Sequence, residues 1–216
     1  MAADVTEPDT VAYRQGEAGI VPSHGRGHYM SLQTNMLYDV AALPSIAFEY
    51  YLGRNVSVVA HWTYGWWDNN EAHRFWRAYG GDVTARYWLG EKARLKPLTG
   101  HHVGAYFQTL IYDFEFGGKG YLSGRPGASL WQRGNYAAGL EYGYSLPIGR
   151  HLNIDFSIGV GYMWGRYYEY APRDGHYVWQ VTKSLRYFGP TKAEISLVWL
   201  LGKGNVNNRK GGGHEK

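Results

Sequence analysis

The segment LNIDFSIGVGYMWG, residues 152–165, alternates between two kinds of side chain with a period of two residues. One set is large and apolar, namely Leu152, Ile154, Phe156, Ile158, Val160, Tyr162 and Trp164. The other set is almost entirely small or polar, namely Asn153, Asp155, Ser157, Gly159, Gly161, Met163 and Gly165. This period is that of a β-strand whose two faces have different surroundings. The segment therefore predicts a long strand with one apolar face and one glycine-lined, polar face.

The same alternation recurs along the chain and gives eight candidate strands. They cover residues 30–40, 46–52, 56–66, a segment ending at 89, and residues 103–116, 136–146, 152–164 and 191–201. The phase of the fifth is ambiguous, because Phe107 and Ile111 fall on one face and Tyr106 and Leu110 on the other. We expect a β-bulge there. An even number of strands places both ends of the sheet at the same side.

The polar face identifies the surroundings of the apolar one. It mixes charged groups with many small residues, which suits the crowded interior of a narrow barrel better than a solvated exterior. The mean hydropathy of −0.43 is that of a soluble protein. That average does not exclude a transmembrane barrel, since inward polar residues offset outward apolar ones. We expect the apolar face to contact lipid; a soluble β-barrel that binds an apolar ligand is the alternative.

The connections between the candidate strands differ in length. LGRN and LPIGRH are short, whereas WDNNEAHRF, GGKGYLSGRPGASLWQRG and EYAPRDGHYVWQVTKSLRYFG are long and lie at the opposite end. Outer-membrane barrels have short periplasmic turns and longer extracellular loops. ALPS and LGEKARLKPLTGHH do not fit this rule, the first being short at the long-loop end and the second long at the turn end.

These patterns together predict an all-β fold, a closed antiparallel transmembrane β-barrel of eight strands in the bacterial outer membrane. The barrel would span residues 28–202, after a flexible N-terminal arm at 1–27 and before a disordered periplasmic tail at 203–216. The start, MAADVTEPDT, lacks the apolar core of a signal peptide, so we expect an exported chain to be present here in its mature form.

Composition excludes several classes of function. The chain has no cysteine, so disulfides, thiol catalysis and zinc–thiolate sites are absent. The net charge is only +4 and aromatic residues follow a strand period, which does not favour nucleic-acid binding. The adjacent His101 and His102 would point to opposite faces of a strand. We expect no metal and no cofactor.

Several stretches resemble a family of known location. TNMLYDVAALPSIAFEYYLGRNVSVVAHWTYGWW, FWRAYGGDVTARYWLG, KPLTGHHVGAYFQ, YAAGLEYGYSLPIGRHLNIDFSIGVGY and FGPTKAEISLVWLLG resemble a Bacteroidota outer-membrane β-barrel family of uncharacterised function. The resemblance covers residues 30–202 and implies an outer-membrane location. Genes of that family often lie near genes for fimbrial subunits and outer-membrane proteins, which implies an association with surface assembly. It offers no agreed catalytic residues to transfer.

The polar faces supply a candidate interior network. It consists of Glu49, His61, Asp82, Arg86, Glu141, Asp155, Lys192 and Glu194. Ionised groups in a barrel interior need partners, since an unpaired buried charge costs several kcal/mol. We expect salt bridges that close the lumen. Acids outnumber bases in this set, so we expect at least one carboxylate to be protonated or hydrated.

The apolar faces supply a candidate set of membrane-facing aromatic residues, because Trp and Tyr are enriched where a barrel meets the membrane–water interfaces. The set consists of Trp62, Tyr64, Trp66, Tyr87, Tyr142, Tyr144, Phe156, Tyr162, Trp164 and Trp199. We expect them to contact outer-membrane lipid and lipopolysaccharide.

The long connections carry the candidates for any chemistry. Asp68, Glu71 and His73 lie in the first, Asp113 and Glu115 flank the second, and Glu169, Asp174 and His176 lie in the third. An Asp/His pair over carboxylates could activate water, which leaves an outer-membrane protease or lipid acyl hydrolase as the alternative. The loops also mix Tyr and Trp with Gly and Ser, as binding surfaces do. We expect a non-enzymatic structural or accessory component of a cell-surface assembly, with a protein or glycan partner at these loops.

Overall fold

A computed structural model describes residues 28–90, 93, 96–124, 130–202 and 204–207, without the side chains of residues 130 and 131. The expected N-terminal arm and the tail beyond residue 207 lie outside the described residues. Nearly all of the described chain is strand. The strands are β1 (Met30–Asn35), β2 (Ser45–Gly53), β3 (Val56–Asn69), β4 (Arg74–Trp88), β5 (Gly100–Phe116), β6 (Gly120–Ser123), β7 (Asn135–Pro147), β8 (Leu152–Arg173) and β9 (His176–Leu201). Two short helices are α1 (Met36–Val40) and α2 (Leu130–Arg133).

The strands form one antiparallel, ring-like sheet. Going round it, β1 pairs with β2, β2 with β3, β3 with β4, β4 with β5, β5 with β7, β7 with β8, β8 with β9, and β9 with β1. The remaining strand, β6, pairs with β5 and β8 at one end of the ring only. We call this end, with the β3–β4 and β8–β9 turns, the upper end. The lower end carries the β2–β3 and β7–β8 turns. Among the described residues, no helix is long and apolar enough to cross a membrane.

The predicted alternation determines which side chains the ring buries. Along β8, Asn153, Asp155 and Ser157 are buried, whereas Phe156 and Ile158 are exposed. The polar face therefore points into the ring and the apolar face away from it. This is the reverse of a soluble sheet, in which the apolar face is the one that packs.

The first strand is shorter than its pattern indicates. Residues 30–40 were predicted as one strand, but β1 ends at Asn35 and α1 follows. The Asn35 side chain accepts a hydrogen bond from the backbone N–H of Leu37, at 3.1 Å, and caps the helix. Beyond Asn35, no described residue of β1 pairs with β9; the Asn35 side chain instead donates to Ala193 O and accepts from Ile195 N.

The longest predicted loop is a pair of strands instead. Residues 169–189 form the upper parts of β8 and β9, joined by a two-residue turn at Asp174 and Gly175. Both turn residues have positive φ, 49° and 79°, as a type I′ hairpin turn requires. Pro190 lies within β9 beside a register shift, and bulges are among the few places where a sheet tolerates proline.

The expected bulge in the fifth strand is also absent. The pairing of β5 with β4 runs without a register shift from Arg74–Phe116 to Trp88–His102. Instead, β5 changes its other neighbour from β7 to β6 above Leu110. The alternation fades there because burial above this point no longer follows the two faces of a single ring.

An apolar cluster closes the lower end. Trp88, Leu98, Val198 and Leu200 are almost fully buried against one another. The Trp88 indole N–H donates to the Ser57 hydroxyl at 2.8 Å. This cluster uses the long connection LGEKARLKPLTGHH, which did not fit the rule of short turns. This connection is long because it carries Leu98 into the buried cluster at the lower end of the ring.

The chain after β9 also packs against the lower end. Residues 204–207 belong to the expected tail, yet Asn205 and Asn207 are buried. Asn205 donates to the carbonyl oxygens of Met30 and Leu201, both at 2.9 Å. Asn207 donates to Gly149 O and to Asn153 Oδ1, at 2.6 and 2.7 Å.

Candidate functional site

The buried polar faces meet in one network inside the ring, built around the guanidinium of Arg86. Its Nε donates to Glu141 Oε1 at 2.7 Å. Its terminal nitrogens lie 3.4 Å from Glu194 Oε2, 3.6 Å from Glu49 Oε2 and 3.9 Å from Asp155 Oδ1. These carboxylates come from β7, β9, β2 and β8, so Arg86, on β4, ties together strands on opposite sides of the ring.

Lys192 is the second cation of the network. Its Nζ lies 2.8 Å from Asp82 Oδ1, 3.0 Å from Glu141 Oε2 and 3.6 Å from Glu194 Oε1. The ammonium also lies 5.4 Å from the centre of the Tyr106 ring. Glu141 and Glu194 each contact both cations, so the two clusters form a single unit.

Two histidines extend the network. His61 Nδ1 lies 3.0 Å from Asp82 Oδ2, and His102 Nε2 lies 2.9 Å from Asp155 Oδ2. Donor atoms of His61, Asp82 and Glu194 also lie within 4.8 Å of one another, close enough for a metal ion. Lys192 contacts both of those carboxylates. Its ammonium already supplies the positive charge that a metal would bring.

Glycines on β7 and β8 give the large interior side chains their space. A Cβ on Gly159 would lie 2.7 Å from the Tyr106 ring, and one on Gly161 would lie 2.8 Å from its hydroxyl. Gly143 makes the same kind of room for the His102 ring. The glycine-lined face noted in the sequence is therefore the wall against which Tyr106 and His102 pack.

The structure brings all eight residues of the sequence-predicted interior set together, and each is buried. With His102 they form what we call the interior network, namely Glu49, His61, Asp82, Arg86, His102, Glu141, Asp155, Lys192 and Glu194. Five carboxylates meet two permanent cations and two histidines. The excess of acid expected from the sequence persists even when both imidazoles are counted as charged.

The apolar faces form a continuous exposed surface round the ring, which we call the apolar belt. All ten sequence-predicted aromatic residues belong to it and all are exposed. Aliphatic residues complete it, including Leu140, which is 70% exposed, and Ile158, which is 55% exposed. Soluble monomers rarely expose a contiguous apolar surface of this kind.

The upper end holds a second cluster, around Arg77. This guanidinium lies 2.7 Å from Asp68 Oδ2 and 3.2 Å from Asp113 Oδ2. The Tyr170 hydroxyl donates to Asp113 Oδ1 at 2.6 Å. Arg77, Asp113, Trp66 and Tyr168 line a cavity of about 260 Å³. Two of the three aspartates in the candidate hydrolytic set, Asp68 and Asp113, are thus held by an arginine rather than left to act as bases.

Glu115 lies beside this cluster with none of its side chain exposed. Neither of its oxygens has a hydrogen-bond partner among the described residues. The Nδ1 atom of the His73 imidazole lies 3.7 Å from Glu115 Oε1. Burial raises the pKa of the Glu115 carboxyl, an effect that nearby His73 partly offsets.

The remaining candidate residues of the loops do not converge on one site. Glu169 lies 2.8 Å from Lys119 Nζ and 2.6 Å from Lys183 Nζ, and these hydrogen bonds lower the pKa of its carboxyl. In the described part of the chain, Glu71, Asp174 and His176 make no ion pair. The candidate hydrolytic residues therefore lie in separate places. Asp68 and Asp113 pair with Arg77, Glu169 pairs with two lysines, and Asp174 and His176 lie at the β8–β9 turn.

Sequence reasoning missed several members of the interior. His102 is the main one, and Gln33 donates to Glu49 Oε2 at 2.6 Å. His102 has the same phase as Gly104 and Tyr106 on β5. That signal could have placed it on the polar face, but the change of phase further along this strand obscured it.

A protein-family model matches most of this chain. The family described as "Protein of unknown function (DUF3575)" matches residues 18–201. A search of curated proteins found none that matches the chain.

Proposed function

This chain belongs to that family of proteins of unknown function, and we propose that it is a non-enzymatic outer-membrane β-barrel that serves as a structural or accessory component of a cell-surface assembly. The observation that carries the proposal is the pairing of an exposed apolar belt with a buried network of charges. In water the exposed belt would be unfavourable, whereas in a bilayer it contacts lipid and ring closure satisfies the backbone.

The dimensions of the belt support membrane insertion. On β8 the exposed residues Phe156, Ile158, Val160, Tyr162 and Trp164 cover nine residues. A transmembrane strand needs about 9–11 residues. The belt changes from aliphatic to aromatic towards the upper end, as expected at a membrane–water interface.

The filled interior favours a structural role over transport or catalysis. Arg86 is 2% exposed and Glu141 is 3% exposed, and the apolar cluster closes the ring below them. Side chains fill the interior of barrels with about eight strands. The charged groups of the interior network pair with one another and offer no accessible base or nucleophile.

The upper β8–β9 hairpin supplies the surface for a partner. It extends beyond the belt and exposes Tyr177, Val178 and Trp179 near its turn. Exposed aromatic residues on a rigid hairpin bind partners at a low entropic cost. We infer that a protein or glycan of the cell surface docks here.

A pair of substitutions tests the membrane location. Ile158→Lys places a charge on the outer face at the middle of the belt, where it should cost about 2–4 kcal/mol in a bilayer. Val178→Lys makes the same change near the hairpin turn and should be tolerated. The readout is the heat-modifiable gel migration of protein refolded into vesicles. A soluble protein would tolerate both, because Ile158 is already 55% exposed, and that result would reject the proposal.

A second experiment tests the role in an assembly. The chain is extracted from its native membrane with mild detergent, and the proteins that co-purify are identified and quantified. A stoichiometric partner that is lost in Tyr177→Ala/Trp179→Ala, with unchanged gel migration, supports docking at the hairpin. Recovery of the barrel alone from wild-type membranes would contradict the assembly role.

A further inference from the structure

The outer face of the ring has a groove at the upper margin of the apolar belt, where β7 begins. It has a volume of about 820 Å³ and lies between the start of β7 and the facing parts of β8 and β9. Tyr136, Trp164, Arg166 and Arg186 are among the residues that line it. β7 begins at Asn135, so beyond Trp164 the β8 backbone has lost this neighbour.

Two arginines, Arg166 and Arg186, line the groove. Trp164 is the cross-strand partner of Arg186, and Arg166 is the partner of Ser184. This register places the two arginines diagonally on one face, where neighbouring residues are about 7–8 Å apart. Both are exposed, and neither forms an ion pair within the described part of the chain. Two arginine side chains that start from backbone positions this far apart can both reach one phosphate.

The surroundings of the arginines indicate a lipid phosphate rather than a soluble one. Below Arg166 on the same face of β8 come Trp164, Tyr162 and Val160, all exposed. Arg166 is two residues above Trp164, about 7 Å along the strand. Phe188, which is 75% exposed, continues the apolar surface below Arg186. An anionic head group at the arginines would therefore have its acyl chains on the belt.

We propose that this groove binds a phosphorylated lipid of the outer leaflet, with its phosphate on Arg166 and Arg186 and its acyl chains against Trp164, Tyr162 and Phe188. The bis-phosphorylated lipid A part of lipopolysaccharide has this chemistry. The inference rests on the proposed membrane location and adds a specific lipid site to it. The backbone of Arg166 is fixed for this role, since its N–H donates to Asn135 Oδ1 at 3.0 Å and its carbonyl accepts from Gly124 N at 2.7 Å.

The test compares lipid binding by the refolded full chain in detergent, measured by native mass spectrometry. The probes are bis-phosphorylated lipid A and the same lipid A after dephosphorylation. We expect wild type to prefer the phosphorylated form. The affinity of Arg166→Gln/Arg186→Gln for this form should be at least about tenfold lower. Arg166→Lys/Arg186→Lys should recover part of the affinity. Arg54→Gln/Arg150→Gln, which removes the same charge from exposed turns at the lower end, should not change it.

Three results would overturn the inference. Equal binding of the two lipids would show that the phosphate is not recognised. Unchanged binding in the double glutamine variant would show that the groove is not the site. Displacement of lipid A by excess inorganic phosphate would show a site for the free anion. Heat-modifiable migration is recorded for every variant. If it persists while binding fails, only this inference falls, whereas its absence in wild type rejects the proposed membrane location.

Discussion

At the scale of single residues, Arg86 is the group on which most of the interior depends. It contacts four carboxylates, and its guanidinium is almost fully buried. Removing one partner of a buried ion pair leaves charge without compensation, which costs about 3–5 kcal/mol. We therefore predict that Arg86→Met lowers the free energy of unfolding by about this amount, or prevents folding.

The measurement is urea unfolding in vesicles, followed by circular dichroism and gel migration. Arg86→Lys should lie between wild type and Arg86→Met, because it keeps the charge and loses the planar fork. Arg77→Met is the comparison variant, since Arg77 has two carboxylate partners instead of four and one of them, Asp68, is partly solvated, so it should cost less than Arg86→Met. Equal losses from Arg86→Met and Arg77→Met would contradict the central role of Arg86.

Glu115 gives a prediction about pH. Burial raises its pKa, so the folded state binds this proton more tightly than the unfolded chain does. The stabilisation from protonation is complete below the unfolded pKa and is lost as the pH rises through the folded pKa. At neutral pH the buried carboxylate should therefore be destabilising.

Glu115→Gln should raise the free energy of unfolding by about 1 kcal/mol at neutral pH. The gain should shrink as the pH falls below the folded pKa of Glu115. Urea titrations across this pH range measure the difference. Asp113→Asn is the control, because Asp113 is paired with Arg77 and Tyr170 and its loss should destabilise. A gain from Glu115→Gln that does not depend on pH would reject the explanation.

At the scale of elements, the alternating pattern predicted strands well where the two faces have different surroundings. β3 and the lower part of β8 are examples, with a buried polar face and an exposed apolar one. The upper parts of β8 and β9 have no such difference, and most side chains of upper β9 are exposed. Their pattern was therefore mistaken for a loop, although Asp174-Gly175 is a recognisable hairpin turn. The short helix α1 was missed because its residues continue the apolar pattern of β1.

The segment after β9 gives the prediction at this scale. Truncation after Gly204 removes Asn205 and Asn207, whose side chains bond the backbone of β1, β9 and the β7–β8 turn. We expect the ring-like sheet still to form but to lose about 1–3 kcal/mol of stability, because buried carbonyl groups lose their donors. Truncation after Asn207 keeps both asparagines and is the matched control. Equal stability of the two truncated chains would show that these bonds do not contribute.

At the scale of the whole molecule, the sequence predicted most of the interior and the belt but not how the ring is closed. The eight predicted interior residues share one face because a period of two fixes it. The contacts among them depend on register and on the stagger of strands far apart in the chain, such as β4 and β9, which no local pattern contains. The same holds for Leu98, which reaches the lower apolar cluster from a connection that looked like an exception.

The interior network and the apolar cluster below it lead to a prediction about permeability. The interior network fills the ring at mid-height, and Trp88, Leu98, Val198 and Leu200 close it below. A path for ions would have to break both the salt bridges and the apolar cluster. We therefore expect no steady single-channel steps from wild-type protein in planar lipid bilayers, with a porin reconstituted in parallel as the conducting control.

Trp88→Ala/Leu98→Ala opens only the lower level and should also remain closed, because Arg86 and Lys192 still hold the carboxylates above it. Insertion is verified by heat-modifiable migration of the reconstituted samples. Discrete steps from the wild type would contradict a sealed structural barrel, whereas steps from the double variant alone would show that the apolar cluster by itself closes the lumen.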